Sequence, residues 1–199
     1  ETLLDTAALV ARLRPEDVGR SSAVFDEKKL RWMNGRYMRD LDLDAYTSAV
    51  ARFIDREPDH DLRAACGIAR EKAQTLAEVW PLIRFLFEEP VEDAKAWRKT
   101  MKHHAPAALA AVREALADVD EFDPAAVEAA MEPLPESLDL KPGKVYQPVR
   151  VALTGTTISP GIFETVAALG KEESLSRIDS ALARLAASPP EPPEPAGAA

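Results

Sequence analysis

Apolar residues recur along this chain at intervals of three and four, the spacing that lines one face of an α-helix. Leu3, Leu4, Ala7, Val10 and Leu13 keep that spacing over residues 3–14, and a loop with Pro15 and Gly19 follows. Asp26 then stands as the N-cap of a helix running through Arg39, with Phe25 and Leu30 placed as a hydrophobic staple. Leu30, Met33, Tyr37 and Leu41 form its expected buried stripe. Helices are expected again over 44–56 and 60–73, separated by Pro58. Thr75-Leu76-Ala77-Glu78 reads as a capping box opening another, which Pro81 kinks or restarts by removing a backbone donor. Further helices are expected over 92–104, over 106–119 with Pro106 at the first position, and over 124–132 where Asp123 caps and Pro124 begins. Two more fall near 144–154 and 160–168, and the last runs from 171 to 187. No stretch alternates apolar and polar residues long enough to make a strand. The fold class is all-α, in two consecutive helical subdomains divided near residues 84–92, where Pro90 and an acidic run interrupt the pattern.

A chain of 199 residues with 46% hydrophobic content is enough for one or two cores. It shows no signal peptide and no apolar run long enough to span a bilayer, and it lacks an initiating Met, so it is read as a soluble piece of a longer protein. The one cysteine, Cys66, cannot form an internal disulfide and lies among Ala64, Ala65 and Ile68 on a helix face expected to be buried, which fits a reducing cytoplasm. From Ser188 onward the proline-rich sequence has no apolar residue large enough to dock, and an extended, mobile tail is expected.

A net charge of −9 argues against generic nucleic-acid binding, and against DNA in particular. Net charge conceals distribution, however. Lys95, Arg98, Lys99 and Lys102 fall at i, i+3, i+4 and i+7 on one helix face, while Ala94, Trp97, Met101 and His104 are spaced to form its packed face. The stripe is either a place for phosphates or a solvated face balancing Glu88, Glu89, Glu92 and Asp93.

Catalytic groupings are missing. The three histidines are His60 and the pair His103-His104, whose adjacent side chains diverge on a helix, and the cysteine is too far away in sequence to complete a metal site. They read as structural or surface histidines. No nucleophile elbow or glycine-rich dinucleotide turn occurs. Gly155 and Gly161 bracket a Ser/Thr-rich turn, but their spacing is one residue too long for a phosphate loop and no Lys follows, so ATP binding there is discarded. No catalytic or metal-ligating residue is proposed in this chain.

The most informative stretch runs from Lys141 to Glu164. Val149, Val151, Ala152 and Leu153 must enter a core, so Arg150 among them lies at the core's edge with its stem packed and its guanidinium expected to face out. Ser159 suits an N-cap and Pro160 the first helical position, leaving the amides of Gly161, Ile162 and Phe163 at a positive helix end. A fixed guanidinium beside free amides suits an unstacked nucleotide. The other reading is a plain helix cap and a surface charge. Gly35, inside its helix, costs roughly 1 kcal/mol relative to Ala, so either a packed helix or an RNA strand must come close there.

This stretch closely resembles the C-terminal signature of bacterial-type glutamyl-tRNA synthetases. Ser22 to Asp26 followed by Lys29 to Arg39 is similar to the same family's S-x-A-V-F-D-x-x-K-L-x-W-x-N-G-x-Y-I-R helix, Arg70 to Leu76 to its R-x-K-T-L junction, and Leu169 to Glu172 to its L-G-K-E. The matches keep the family's order over most of residues 20–180. The resemblance implies that residues 1–42 end a stem-contact region, that 43–88 and 89–187 are two helical subdomains forming an anticodon-binding cage, and that 188–199 are the tail. It implies tRNA(Glu) as the partner of a monomer, with ATP and magnesium serving glutamylation in a catalytic domain whose His-Ile-Gly-His-like and Lys-Met-Ser-Lys-Ser-like motifs are absent from this sequence. The chain itself then takes no cofactor and does not activate glutamate.

By the same resemblance Arg150 stands where the family places an arginine against anticodon bases, and Ser159, Pro160, Gly161 and Ile162 where it places the wall around them. Lys72 falls near an arginine that reads the third base, and lysine there leaves the discrimination between glutamate and glutamine tRNAs open. Asn34, Gly35, Lys95, Arg98, Lys99 and Lys102 are candidate contacts to the tRNA backbone. The alternative is an acidic helical module that docks a protein partner, which would bind in a salt-tolerant way where RNA binding is steeply salt-dependent.

Overall fold

The computed structural model describes residues 3–188 apart from 18, 20, 21, 23 and 58. The tail expected after Ser188 and the break at Pro58 lie outside the described residues, as does the side chain of His60. The described residues form α-helices with short 3-10 turns and no strand, as the periodicity predicts. In chain order the helices are α1 (Thr6–Arg12), α2 (Glu27–Asp40), α3 (Leu43–Ile54), α4 (His60–Ala69), α5 (Leu76–Ile83), α6 (Ala94–Thr100), α7 (Ala105–Ala117), α8 (Pro124–Met131), α9 (Leu134–Ser137), α10 (Pro142–Thr154), α11 (Ile162–Leu169) and α12 (Lys171–Ala187).

Part of the chain's acidity goes into starting these helices. Asp5, Asp26, Asp42, Asp59, Asp93 and Asp123 each accept a backbone N–H in the first turn of the helix that follows. A cap of this kind contributes about 1 kcal/mol and places a negative charge at the positive end of the helix dipole.

Buried apolar side chains fall into two clusters. The first joins Met38, Tyr46, Val50, Leu62, Cys66, Val79 and Ile83 from α2 to α5. The second joins Leu109, Leu116, Met131, Val149, Leu153 and Ile178 with others from α6 to α12. Burial pushes the Cys66 thiol up to about 11. The clusters are fastened together: α11 packs on α4, and Arg177 Nη1 donates to the carbonyls of Phe85 (3.1 Å) and Leu153 (2.7 Å). Arg184 pairs with Glu92 while its guanidinium lies 3.8 Å from the Trp97 ring centre. At the start of α6 Asp93 N donates to Gly155 O (2.9 Å) at the end of α10, and a Cβ on Gly155 would lie 2.5 Å from Val91 O. Gly155 also takes φ +75° as the C-cap of α10, so two separate requirements select glycine. In the L-G-K-E segment Gly170 turns the chain at φ +84° and Lys171 Nζ donates to Val119 O (2.7 Å).

Several expectations are corrected. The apolar stripes of α1 and α2 face solvent in large part: Val10, Leu13, Leu30, Tyr37 and Leu41 are exposed, as are Leu9 and the staple residue Phe25, while Leu3, Leu4 and Met33 are half-buried and Tyr37 donates to Leu4 O (2.5 Å). The buried face of α2 is Gly35 and Met38. The helix begun at His60 ends at Ala69, four residues before its expected end, and Arg70 turns to the carbonyls of Arg39 and Leu41 at the end of α2. Helix α6 spans only Ala94–Thr100, so Lys102 and His104 lie beyond it, and its buried side is Ala96 and Thr100 rather than the exposed Ala94. Pro81 stays inside α5, which passes into a 3-10 turn at Arg84–Leu86. The short α9 has no counterpart in the sequence reading. No helix among the described residues is long and apolar enough to cross a membrane.

Candidate nucleic-acid interface

Lys72 is carried by the junction between α4 and α5, and α2 holds that junction at three points. Arg70 Nη2 donates to the carbonyls of Arg39 and Leu41, Asn34 Nδ2 donates to Gln74 O (2.6 Å), and Arg31 pairs with Glu78. Gly35 makes the close approach possible, since a Cβ there would meet Gln74 Cα at 3.3 Å. What comes close to this glycine is therefore the packed chain at Gln74. The capping box is only half formed. Thr75 makes no side-chain cap bond, while Glu78 accepts the N–H of Gln74 (2.8 Å). Burial raises the Glu78 pKa, but the Gln74 amide and Arg31 together hold the carboxyl below its ordinary value. The Lys72 side chain stays exposed at the surface of this braced turn.

Arg150 has a different situation. Val149 and Val151 on either side of it are buried, as expected for the edge of a core. Its guanidinium does not simply face out. Nη1 donates to Ser159 O (3.1 Å), Ser159 Oγ (2.5 Å) and Pro160 O (2.9 Å), while Nε is buried with no partner. Burial lowers the Arg150 pKa against the opposing effect of Glu164. Ser159, 2% exposed, is not the cap of α11: its hydroxyl donates to Pro160 O (3.0 Å) and shares a hydrogen bond with Thr165 Oγ1 (3.2 Å). Gly161 is the N-cap, and the Glu164 carboxylate occupies the space a Cβ on Gly161 would need. Ser159, Pro160 and Ile162 are buried, leaving Gly161 the most open of the four wall residues.

A cleft of about 730 Å³ opens where the two helical clusters meet. Lys72, Arg31, Thr75, Glu78 and Arg84 line it from one side, and Asp93 with Thr156, Thr157 and Ile158 from the other. Its two acids are occupied, Glu78 as above and Asp93 by the amides of Lys95 and Ala96 (2.8 and 3.2 Å). Among the described residues neither Lys72 nor Arg84 is in an ion pair, so the cleft carries net positive charge on an acidic protein.

The structure thus places Lys72 with Arg31 and Arg84, and sets Arg150 under the 156–161 loop that forms the opposite wall. Lys95, Arg98, Lys99 and Lys102 are exposed, the last outside the helix of the other three. Asn34 and Gly35 face Gln74. Sequence reasoning missed Arg31, Arg84 and the 156–158 tip as cleft residues. Arg31 lay within a family-like segment, and Ile158 is 69% exposed, an apolar side chain at a loop tip with no core to enter. Among the described residues no group of three or more His, Cys, Asp or Glu could hold a metal ion.

Residues 38–182 match the model of the anticodon binding domain. The glutamate–tRNA ligase of Anaeromyxobacter sp. (strain K) is 37% identical over 179 residues, 87% of this chain and 38% of that protein. The glutamate–tRNA ligase of Frankia alni is 38% identical over 182 residues, 86% of this chain and 38% of the relative. The chain thus spans about two fifths of the length of these curated relatives. Among solved structures, a glutamate tRNA ligase from Elizabethkingia meningosepticum in complex with its amino acid superposes with a TM-score of 0.72 at 23% identity, over 92% of this chain and 37% of that one, a likeness of fold.

Proposed function

This chain belongs to the anticodon-binding domain family, and from that premise we propose that it is the tRNA-contacting part of a glutamyl-tRNA synthetase, holding the anticodon arm of tRNA(Glu). The observation that carries this reading is the cleft between the two helical clusters, where among the described residues Lys72 and Arg84 stand in no ion pair, on a chain of net charge −9. A single-stranded loop offers unstacked bases and closely spaced phosphates, which such a cleft can accept together. Lys72 faces the third anticodon base from the braced junction. Arg150 shapes the 159–161 loop and presents what remains of its guanidinium edge to the other bases, while Ile158 supplies an apolar surface for a base. The exposed Lys95, Arg98, Lys99 and Lys102 serve the tRNA backbone.

In this reading the parent enzyme works as a cytoplasmic monomer, and ATP, magnesium and glutamate are handled by residues outside this chain. The test is a titration of the chain with the anticodon-arm hairpin of tRNA(Glu) at several salt concentrations. Affinity that falls steeply with salt, about 0.7 in log–log slope for each single-strand phosphate contacted, is the expected result. Absence of binding, or a salt-independent affinity, would refute the reading. Glutamate-dependent pyrophosphate exchange by the chain alone is expected to be nil.

A further inference from the structure

A second concavity of about 480 Å³ lies where the end of α6 and the turn before α7 face the first two turns of α10. Lys99, Thr100 and His104 line it on one side, Gly143, Lys144 and Gln147 on the other, with Thr157 at its edge. No carboxylate lines it, in a chain with 34 acids. The side chains of Lys99 and Lys144 are exposed, and among the described residues neither is in an ion pair.

Two polar atoms in this lining have no partner. His104 Nδ1 and Gln147 Oε1 are both buried without a hydrogen bond, a costly condition that a bound polar group relieves. Burial first, and then the neighbouring His103 and Lys144, push the His104 pKa down. Helix α10 begins at the pocket with no side-chain cap, and a Cβ on Gly143 would meet nothing within 4 Å, so the positive end of a thirteen-residue helix is open to an anion.

Thr157 lines both this pocket and the cleft that holds Lys72. A strand leaving the cleft over the 156–158 tip therefore meets the pocket next. We propose that the pocket is a second RNA subsite, holding one phosphodiester and its ribose from the strand that enters the cleft. Lys99 and Lys144 pair with the phosphate over the first turn of α10, and the Gln147 carboxamide oxygen accepts the ribose 2′-hydroxyl. The proposal rests on the tRNA reading above.

The two fail differently. The experiment measures binding of the tRNA(Glu) anticodon-arm hairpin to the unaltered chain and to Lys144→Gln and Lys141→Gln, with a set of hairpins each carrying one methylphosphonate or one 2′-deoxy nucleotide in the loop and its flanks. Lys144→Gln is expected to weaken binding about fivefold at 0.1 M salt and to reduce the salt slope by about 0.7, the effect of one lost single-strand phosphate contact. At one nucleotide, methylphosphonate should weaken the unaltered chain clearly more than it weakens Lys144→Gln, in which Lys99 alone still faces the phosphate, and 2′-deoxy at that nucleotide should weaken both to the same extent. Lys141, beside the pocket but outside its lining, serves as the control for general charge. Equal losses in Lys141→Gln and Lys144→Gln, or an unchanged affinity in Lys144→Gln, would overturn the subsite while leaving the tRNA reading in place. Failure of the unaltered chain to bind the hairpin would remove both. Circular dichroism checks that the exposed substitutions leave the fold intact.

Discussion

Arg150 and Ser159 close on each other across the end of α10: Nη1 of the arginine donates to both the carbonyl (3.1 Å) and the hydroxyl (2.5 Å) of the serine. The pair makes the arginine a structural part of the loop that it was expected only to stand beside. Arg150→Ala is expected to lower the unfolding free energy by about 2 kcal/mol, because acceptors at Ser159 and Pro160 lose a charged donor. Ser159→Ala, which removes only the hydroxyl, should cost about 1 kcal/mol. Urea denaturation of both variants checks the order, and an Arg150→Ala chain as stable as the unaltered one would mean that the loop does not depend on the guanidinium.

Gly155 lets the connector before α6 lie against the end of α10 at Val91. Gly155→Ala should destabilise the chain by more than about 2 kcal/mol, since a left-handed φ and a collision with backbone combine there. Gly143→Ala, in open space within the first turn of α10, should be neutral or stabilising by up to about 1 kcal/mol. Thermal unfolding of the two single variants separates these expectations by sign.

The Glu78 carboxyl has its pKa held below the ordinary value in the folded chain, so its contribution to stability is fully present above the unfolded pKa of about 4.3 and is lost as pH falls through the lower folded value. The stability difference between the unaltered chain and Glu78→Gln should therefore be constant from pH 7 to about 5 and shrink below about 4.3. Denaturant titrations across that range test it. A difference independent of pH would detach Glu78 from the brace on the Lys72 junction.

The class of the fold and most of its helices were legible in the sequence because aspartate caps and the 3.6-residue period are local signals. Asp26, Asp123 and the glycine at 170 each lay where a boundary was expected. The stripes of α1 and α2 misled because periodicity reports an apolar face without saying whether anything covers it, and Leu30 remains 51% exposed. Ser159 misled for a related reason. Its residue type suits a cap, but a half-buried arginine nine positions earlier competes for the hydroxyl and draws it inward. Lys72 was singled out through the resemblance and Arg150 from its place in an apolar run as well, whereas Arg31, Arg84 and Ile158 line a cleft made by the meeting of two clusters that no local pattern encodes.

Lys72 presents an ammonium where a guanidinium fork would engage a base edge in two places. Lys72→Arg is expected to raise the preference for a C-ending over a G-ending anticodon, by up to about tenfold if a bidentate contact forms. Competition between the two hairpins for each protein gives the ratio. An unchanged ratio would remove Lys72 from the reading site.

One comparison separates the proposed reading of anticodon bases by this chain from a general attraction to RNA. The dissociation constants of the unaltered chain, Lys72→Ala and Lys99→Ala are measured for the tRNA(Glu) anticodon-arm hairpin and for the same stem with the three anticodon bases permuted. If bases are read, the native loop is preferred by about tenfold or more, a preference reduced by Lys72→Ala and preserved by Lys99→Ala, which weakens both hairpins alike. Equal affinity of the unaltered chain for the two hairpins would contradict base reading.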